Sequence, residues 1–143
     1  NAIAAYEEVQ DVCVGVDFGT GINFDAVSAE GSYLGGAIAP GVEISLTALT
    51  ERAARISRID LGEPKKAIGT SSREAIQVGV LYGFAGLVDG IARRINRELG
   101  GNARFIATGG YAKWIVPFAE EINEIDDLLT LKGLRIIHER NRG

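Results

Sequence analysis

A chain of 143 residues, 46% apolar and 24% charged, suits one domain with a hydrophobic core and excludes a disordered or collagen-like protein. With 15 basic against 19 acidic residues, a formal net charge of −4 and no Lys/Arg cluster, an electrostatic nucleic-acid binder is not expected. The single Cys13 cannot close an internal disulfide, and no apolar run is expected to reach the roughly 20 residues that span a bilayer, so a cytoplasmic protein without membrane contact is expected.

Residues 2–9 are good helix formers. Because this helical pattern starts at once and Met is absent, the chain is expected to be cut from a longer one. Segment 12–18 (VCVGVDF) is a short β-branched run ending in an acid and a glycine, the pattern of a buried strand that enters a loop. Strands are predicted over 22–28 and 33–39, joined by a tight turn at Ala29-Glu30-Gly31-Ser32. Gly35-Gly36 within the third strand implies a bulge or a close backbone approach, and Pro40-Gly41 stops it.

A helix is predicted over 43–57, from Ile44, Leu46, Leu49, Ala53 and Ile56, followed by a loop over 59–69. Ser71 or Ser72 with Glu74 begins a long helix, the hydroxyl serving as N-cap and the acid lying near the positive end of the dipole. Its stripe is Leu81, Phe84, Val88, Ile91 and Ile95, with Ile76, Val80 and Leu87 beside it. Gly79, Gly83, Gly86 and Gly90 recur at helical spacing, each at a cost of up to about 1 kcal/mol against Ala. They imply a backbone packed close by, within the fold or across a dimer, or a break near Gly86. Gly100-Gly101 stops the helix, 104–108 (RFIAT) reads as a further buried strand, 111–119 as helical, 120–127 as a charged loop and 128–140 as the last helix. No repeat or linker divides the chain, and the order points to a layered α/β domain with a mixed sheet.

Asp17 is the foremost candidate for chemistry, because a carboxylate ending an apolar strand is costly to bury without a cation or hydrogen-bond donors. In the turn Phe18-Gly19-Thr20-Gly21 that follows, backbone N–H groups and the Thr20 hydroxyl can face phosphate oxygens, with Asp17 holding a metal ion or its water. The alternative is an Asp that merely caps a turn. Thr108-Gly109-Gly110 is a second glycine turn between a strand and a helix, and two such turns suggest a nucleotide. Gly69-Thr70-Ser71-Ser72 is a hydroxyl-rich helix entrance that can bind a polar substrate or simply cap the helix. His138 lacks partners for a catalytic set, Cys13 reads as a small buried apolar residue, Trp114 as packing, and no zinc spacing occurs.

The runs VGVDFGT, Phe24-Asp25, GSYLGGAIAPGV, IGTSSREAIQVGVLYG, FIATGG and LLTLKGLRIIHERN resemble, in order and over nearly the whole chain, the C-terminal half of type III pantothenate kinases. The resemblance implies one of the two ribonuclease-H-like domains of an actin-like ATPase fold, a mixed sheet with flanking helices. It implies ATP-dependent phosphorylation of pantothenate, the first step of coenzyme A biosynthesis, by a homodimer that uses Mg2+ and a monovalent cation, K+ or NH4+. By position, Asp17 matches the cation ligand, Thr20 with Gly19 the ATP-contacting phosphate motif, Gly109 and Gly110 the adenosine-side glycines, and Ser72 a substrate-binding Thr. The family's N-terminal phosphate loop and its G-x-D-R motif, with the proposed base Asp, precede the region aligned with Asn1. Residues 1–143 are therefore expected to be the C-terminal domain of a pantothenate kinase and to be inactive alone. Gly21-Ile22-Asn23 and Thr70-Ser71-Ser72 depart from the family's pattern and favour a second reading, an inactive kinase-like homologue that serves as a nucleotide-binding or regulatory module. An actin-like or chaperone-like ATPase domain is a third.

Overall fold

A computed structural model describes residues 1–52 and 61–143, so Ala53 and Ile56 of the predicted 43–57 helix lie outside the described residues. The first helix, α1 (Ala2–Val9), ends at Gln10, whose φ of 53° turns the chain while its N–H closes on the Tyr6 carbonyl. Strand β1 (Cys13–Phe18) follows, then β2 (Gly21–Val27) and β3 (Tyr33–Pro40), each antiparallel to the one before it. The Ser28 hydroxyl holds the β2–β3 turn by accepting the N–H groups of Glu30 and Ser32. Both alternatives predicted for Gly35-Gly36 occur together. The register slips between Ala26 and Val27, and a Cβ at Gly36 would stand 1.5 Å from the Phe24 carbonyl oxygen.

Helix α2 (Val42–Arg52) starts one residue ahead of the predicted position, and α3 (Ser72–Glu98) runs unbroken for 27 residues. Ser71 is its N-cap, and its side chain accepts the Glu74 N–H. Val80, Leu81, Ala85, Val88 and Ala92 are buried against the sheet, with Phe84, Ile91 and Ile95 half-buried beside them. The break predicted as one alternative near Gly86 does not occur. Among the described residues no atom lies within 4 Å of a Cβ built at Gly79, Gly83 or Gly86, and Gly90 meets only the end of Arg94, so no described backbone packs against them. Helix α3 also corrects the expectation about membrane-length segments. It is long and apolar enough by length and composition to cross a bilayer, with an 18-residue window of mean hydropathy 1.5. In this fold its apolar stripe is the inner face of a sheet-packed helix.

Strand β4 (Arg104–Thr108) pairs in parallel with β1. The stretch predicted as helical over 111–119 is a single turn, α4 (Ala112–Ile115), that tightens into a 3₁₀ turn (Val116–Phe118) with Pro117 near its start. The predicted charged loop contains a two-residue strand, β5 (Glu124–Ile125), parallel to β4, and the chain closes with α5 (Leu129–Asn141). The sheet is five-stranded and mixed, in the order β3-β2-β1-β4-β5.

The period-two alternation of the strands decides what lies on each face. Val14, Val16, Phe18, Ile22, Phe24 and Phe105 join α3 and α4 in the larger core, where burial of each large side chain contributes roughly 1.5–3 kcal/mol. Cys13, Val27 and Ile106 face Ala4 and Ala5 of α1 and Leu129 of α5 in a smaller core on the opposite side. By the same alternation Gly15 and Asp17 share the face of Cys13.

Candidate nucleotide and cation site

The parallel pairing of β1 with β4 sets Asp17 opposite Thr108, so the two glycine turns leave the sheet side by side. Gly109 takes φ +97°, and a Cβ there would stand 2.6 Å from the Phe18 carbonyl oxygen and 2.8 Å from Asp17 Oδ1. Only glycine fits between the turns. The Tyr111 N–H reaches the Phe18 carbonyl at 3.5 Å, a second link across the gap.

Asp17 is half-buried. Its Oδ2 accepts a hydrogen bond from Asn1 Nδ2 at 2.7 Å, whereas Oδ1 accepts none among the described residues and faces the glycine turn. One open carboxylate oxygen is the donor type that a hard cation takes. No group of three or more His, Cys, Asp or Glu that could hold a metal ion occurs among the described residues, so the rest of such a shell would come from backbone carbonyls, water or phosphate. A nucleotide phosphate also fits the open turn in kind, although fewer donors are free there than the sequence implies. The Gly19 N–H is already given to the Gly21 carbonyl at 3.1 Å, which leaves the exposed Thr20 as the side chain of this turn that can reach a ligand. The Thr20 carbonyl accepts the Gly41 N–H at 3.1 Å, so the end of β3 braces the turn. The helix dipole expected beyond Gly110 shrinks to that of the one-turn α4.

The site residues fall into two places. Asp17, Gly19, Thr20, Gly109 and Gly110 are neighbours at the strand ends, while Ser72 is exposed at the first turn of α3. Of the hydroxyls there, Thr70 donates to Glu74 Oε2 at 2.7 Å and Ser71 caps the helix, while Ser72 makes no hydrogen bond among the described residues. Beside them Glu63, Pro64, Lys65, Lys66, Gly69 and Glu74 line a cleft of about 290 Å³. Ile22, one of the departures from the family's pattern, is fully buried in the larger core opposite Phe18 and plays no part in the surface of the turn.

Three residues of consequence carried no local signal. Asn1 bridges Asp17 to the Thr130 hydroxyl of α5, which donates to Asn1 Oδ1 at 2.7 Å. Asp89, buried in α3, accepts the N–H groups of Glu120 and Glu121 at 2.9 to 3.0 Å and so anchors the loop that follows β4 and α4.

The sequence model of the family described as type III pantothenate kinase matches residues 1–94. The chain belongs to the type III pantothenate kinase family. A type III pantothenate kinase of Koribacter versatilis (strain Ellin345) is 50% identical over 142 residues, which are 99% of this chain and 52% of the relative. One from Pelobacter propionicus is also 50% identical over 142 residues, covering 99% of this chain and 56% of its own. The chain thus spans about half the length of the curated relatives it matches. A solved Baf family protein from Campylobacter jejuni superimposes with a TM-score of 0.65 at 23% identity, over 97% of this chain and 62% of that one, which shows a shared fold.

Proposed function

We propose that these residues form the C-terminal, ribonuclease-H-like domain of a pantothenate kinase, which transfers phosphate from ATP to pantothenate at the entry to coenzyme A biosynthesis. The observation that carries the reading is the parallel β1–β4 register, which brings the Asp17 carboxylate against the Gly109 turn at the C-terminal ends of these two strands. Asp17 Oδ1 is the monovalent-cation ligand, for K+ or NH4+. Thr20 contacts the ATP phosphates, with Mg2+ neutralising them, and Gly109 and Gly110 let the adenosine lie against backbone. Ser72 binds pantothenate through the hydroxyl that the helix entrance leaves free. Strand order β3-β2-β1-β4-β5 and helices on both faces support the ribonuclease-H-like assignment and, with it, half of an actin-like ATPase.

Phosphoryl transfer needs both phosphates and the attacking oxygen held together, and the described residues offer no candidate base near the turns besides Asp17. The phosphate loop and the base belong to an N-terminal half. The working unit is a cytoplasmic homodimer, and the open glycine face of α3 is the surface we assign to the second copy, where glycines permit close backbone approach.

The test is a mass-spectrometric assay for phosphopantothenate with ATP, Mg2+ and K+, on these 143 residues and on a longer chain extended upstream through the G-x-D-R region. Product from the longer chain alone is expected. Product from neither, in folded protein, removes the kinase reading, and robust turnover by the shorter chain removes the division of the site between two halves.

A further inference from the structure

Asn is among the best N-cap residues, and Asn1 stands at the N-cap of α1, yet its side chain makes no capping hydrogen bond. Both ends of its amide are used elsewhere. The NH2 group donates to Asp17 Oδ2 at 2.7 Å, and the amide oxygen accepts the Thr130 hydroxyl at 2.7 Å. This pattern fixes the sense of the amide, since a carboxylate can only accept and a hydroxyl facing an amide oxygen must donate. Two glycines flank it at ordinary contact distance. A Cβ at Gly15 would lie 3.5 Å from the Asn1 Cβ, and one at Gly133 would lie 3.7 Å from the Asn1 backbone nitrogen.

We propose that Asn1 and Thr130 are positioning residues for Asp17: the Thr130–Asn1 pair occupies Oδ2 and thereby aims Oδ1 at the Gly109 turn. The inference rests on the reading of Asp17 as a cation ligand, and it adds that α5 controls the orientation of that ligand. A carboxylate with one oxygen tied down has lost the freedom to rotate, so less ordering is left for cation binding to impose. Helix α5 is itself held in place by Lys132, which bridges Glu8 of α1 and Asp126, and by the close crossing at Gly133, whose Cβ position lies 3.6 Å from the Ala4 Cβ.

The test has two arms. In the nitrogen-15-labelled 143-residue chain, the Asn1 side-chain amide should give a well-separated, slowly exchanging proton pair that moves in both Asp17→Asn and Thr130→Val and is restored by Thr130→Ser. A pair that exchanges like a free amide and ignores these changes overturns the inference, whatever the site binds. In the longer chain, Mg·ATP binding is titrated with KCl. Asn1→Ala and Thr130→Val should each raise the half-saturating potassium concentration several-fold at nearly unchanged Tm, with Thr130→Ser close to the unaltered protein. If potassium dependence is present, is lost in Asp17→Asn and is untouched in both other variants, the positioning role is wrong while the cation reading stands. If the unaltered protein shows no potassium dependence, the cation reading falls and the inference with it.

Discussion

Gly109 carries more constraint than any other residue at the site, because its backbone conformation and its surroundings both refuse a side chain. Gly109→Ala should cost about 2 kcal/mol or more, from the positive φ and the contacts with the Phe18 carbonyl and Asp17 Oδ1, as read by urea denaturation. Loss of Mg·ATP binding should accompany it. Glu74 is constrained differently. The Thr70 N–H and then its hydroxyl, each at 2.7 Å, hold the carboxyl below its usual value of 4.5. A depressed folded value gives stability that is complete above the unfolded value and is lost as pH falls through the folded one. Acidification below the ordinary carboxylate range should therefore fray the start of α3, seen as faster exchange at the Thr70 amide, and Glu74→Gln should remove that pH dependence. Cys13 shows the opposite sign. Burial first and Asp11 second push its thiol up to about 11, so the folded protein should resist thiol reagents at neutral pH and react only when denatured.

At the scale of the element, α3 poses two opposed tests. Asp89→Ala should strip the Glu120 and Glu121 N–H groups of their acceptor and cost roughly 1–3 kcal/mol, with the change concentrated in the loop after the 3₁₀ turn. Gly83→Ala should instead add up to about 1 kcal/mol to the helix, since no described residue stands within 4 Å of the new methyl, while weakening association measured by sedimentation if the second copy packs there. Strands β1, β2 and β4 are legible as short runs with apolar, β-branched residues, and β3 is legible from the turn before it and the Pro40-Gly41 that stops it. Strand β5 is not, because two residues show no period and Glu124–Ile125 becomes a strand only through the neighbouring β4. Pro117 accounts for the shortfall of the 111–119 helix, and no contact among the described residues gives a reason for the α3 glycines.

Over the whole molecule, each glycine turn could be read locally, whereas their meeting could not. Asp17 and Thr108 are paired by a parallel register across most of the sequence, a fact of topology that no short window contains. The same holds for Asn1, whose partners are 16 and 129 positions away, and it explains why an apparent helix cap is a fixture of the site. The bond between Asn1 and Thr130 has a consequence in time as well. Closing so long a separation is slow compared with pairing β1 to β2, and the Lys132 to Glu8 contact spans 124 positions of its own. During synthesis the β1–β3 meander can form long before α5 has left the ribosome, while Asp17 keeps a freely rotating carboxylate until that helix docks. Nascent chains stalled before residue 128 should then show protected strand amides and an untethered Asn1, with cation recognition switched on only once α5 has emerged and docked.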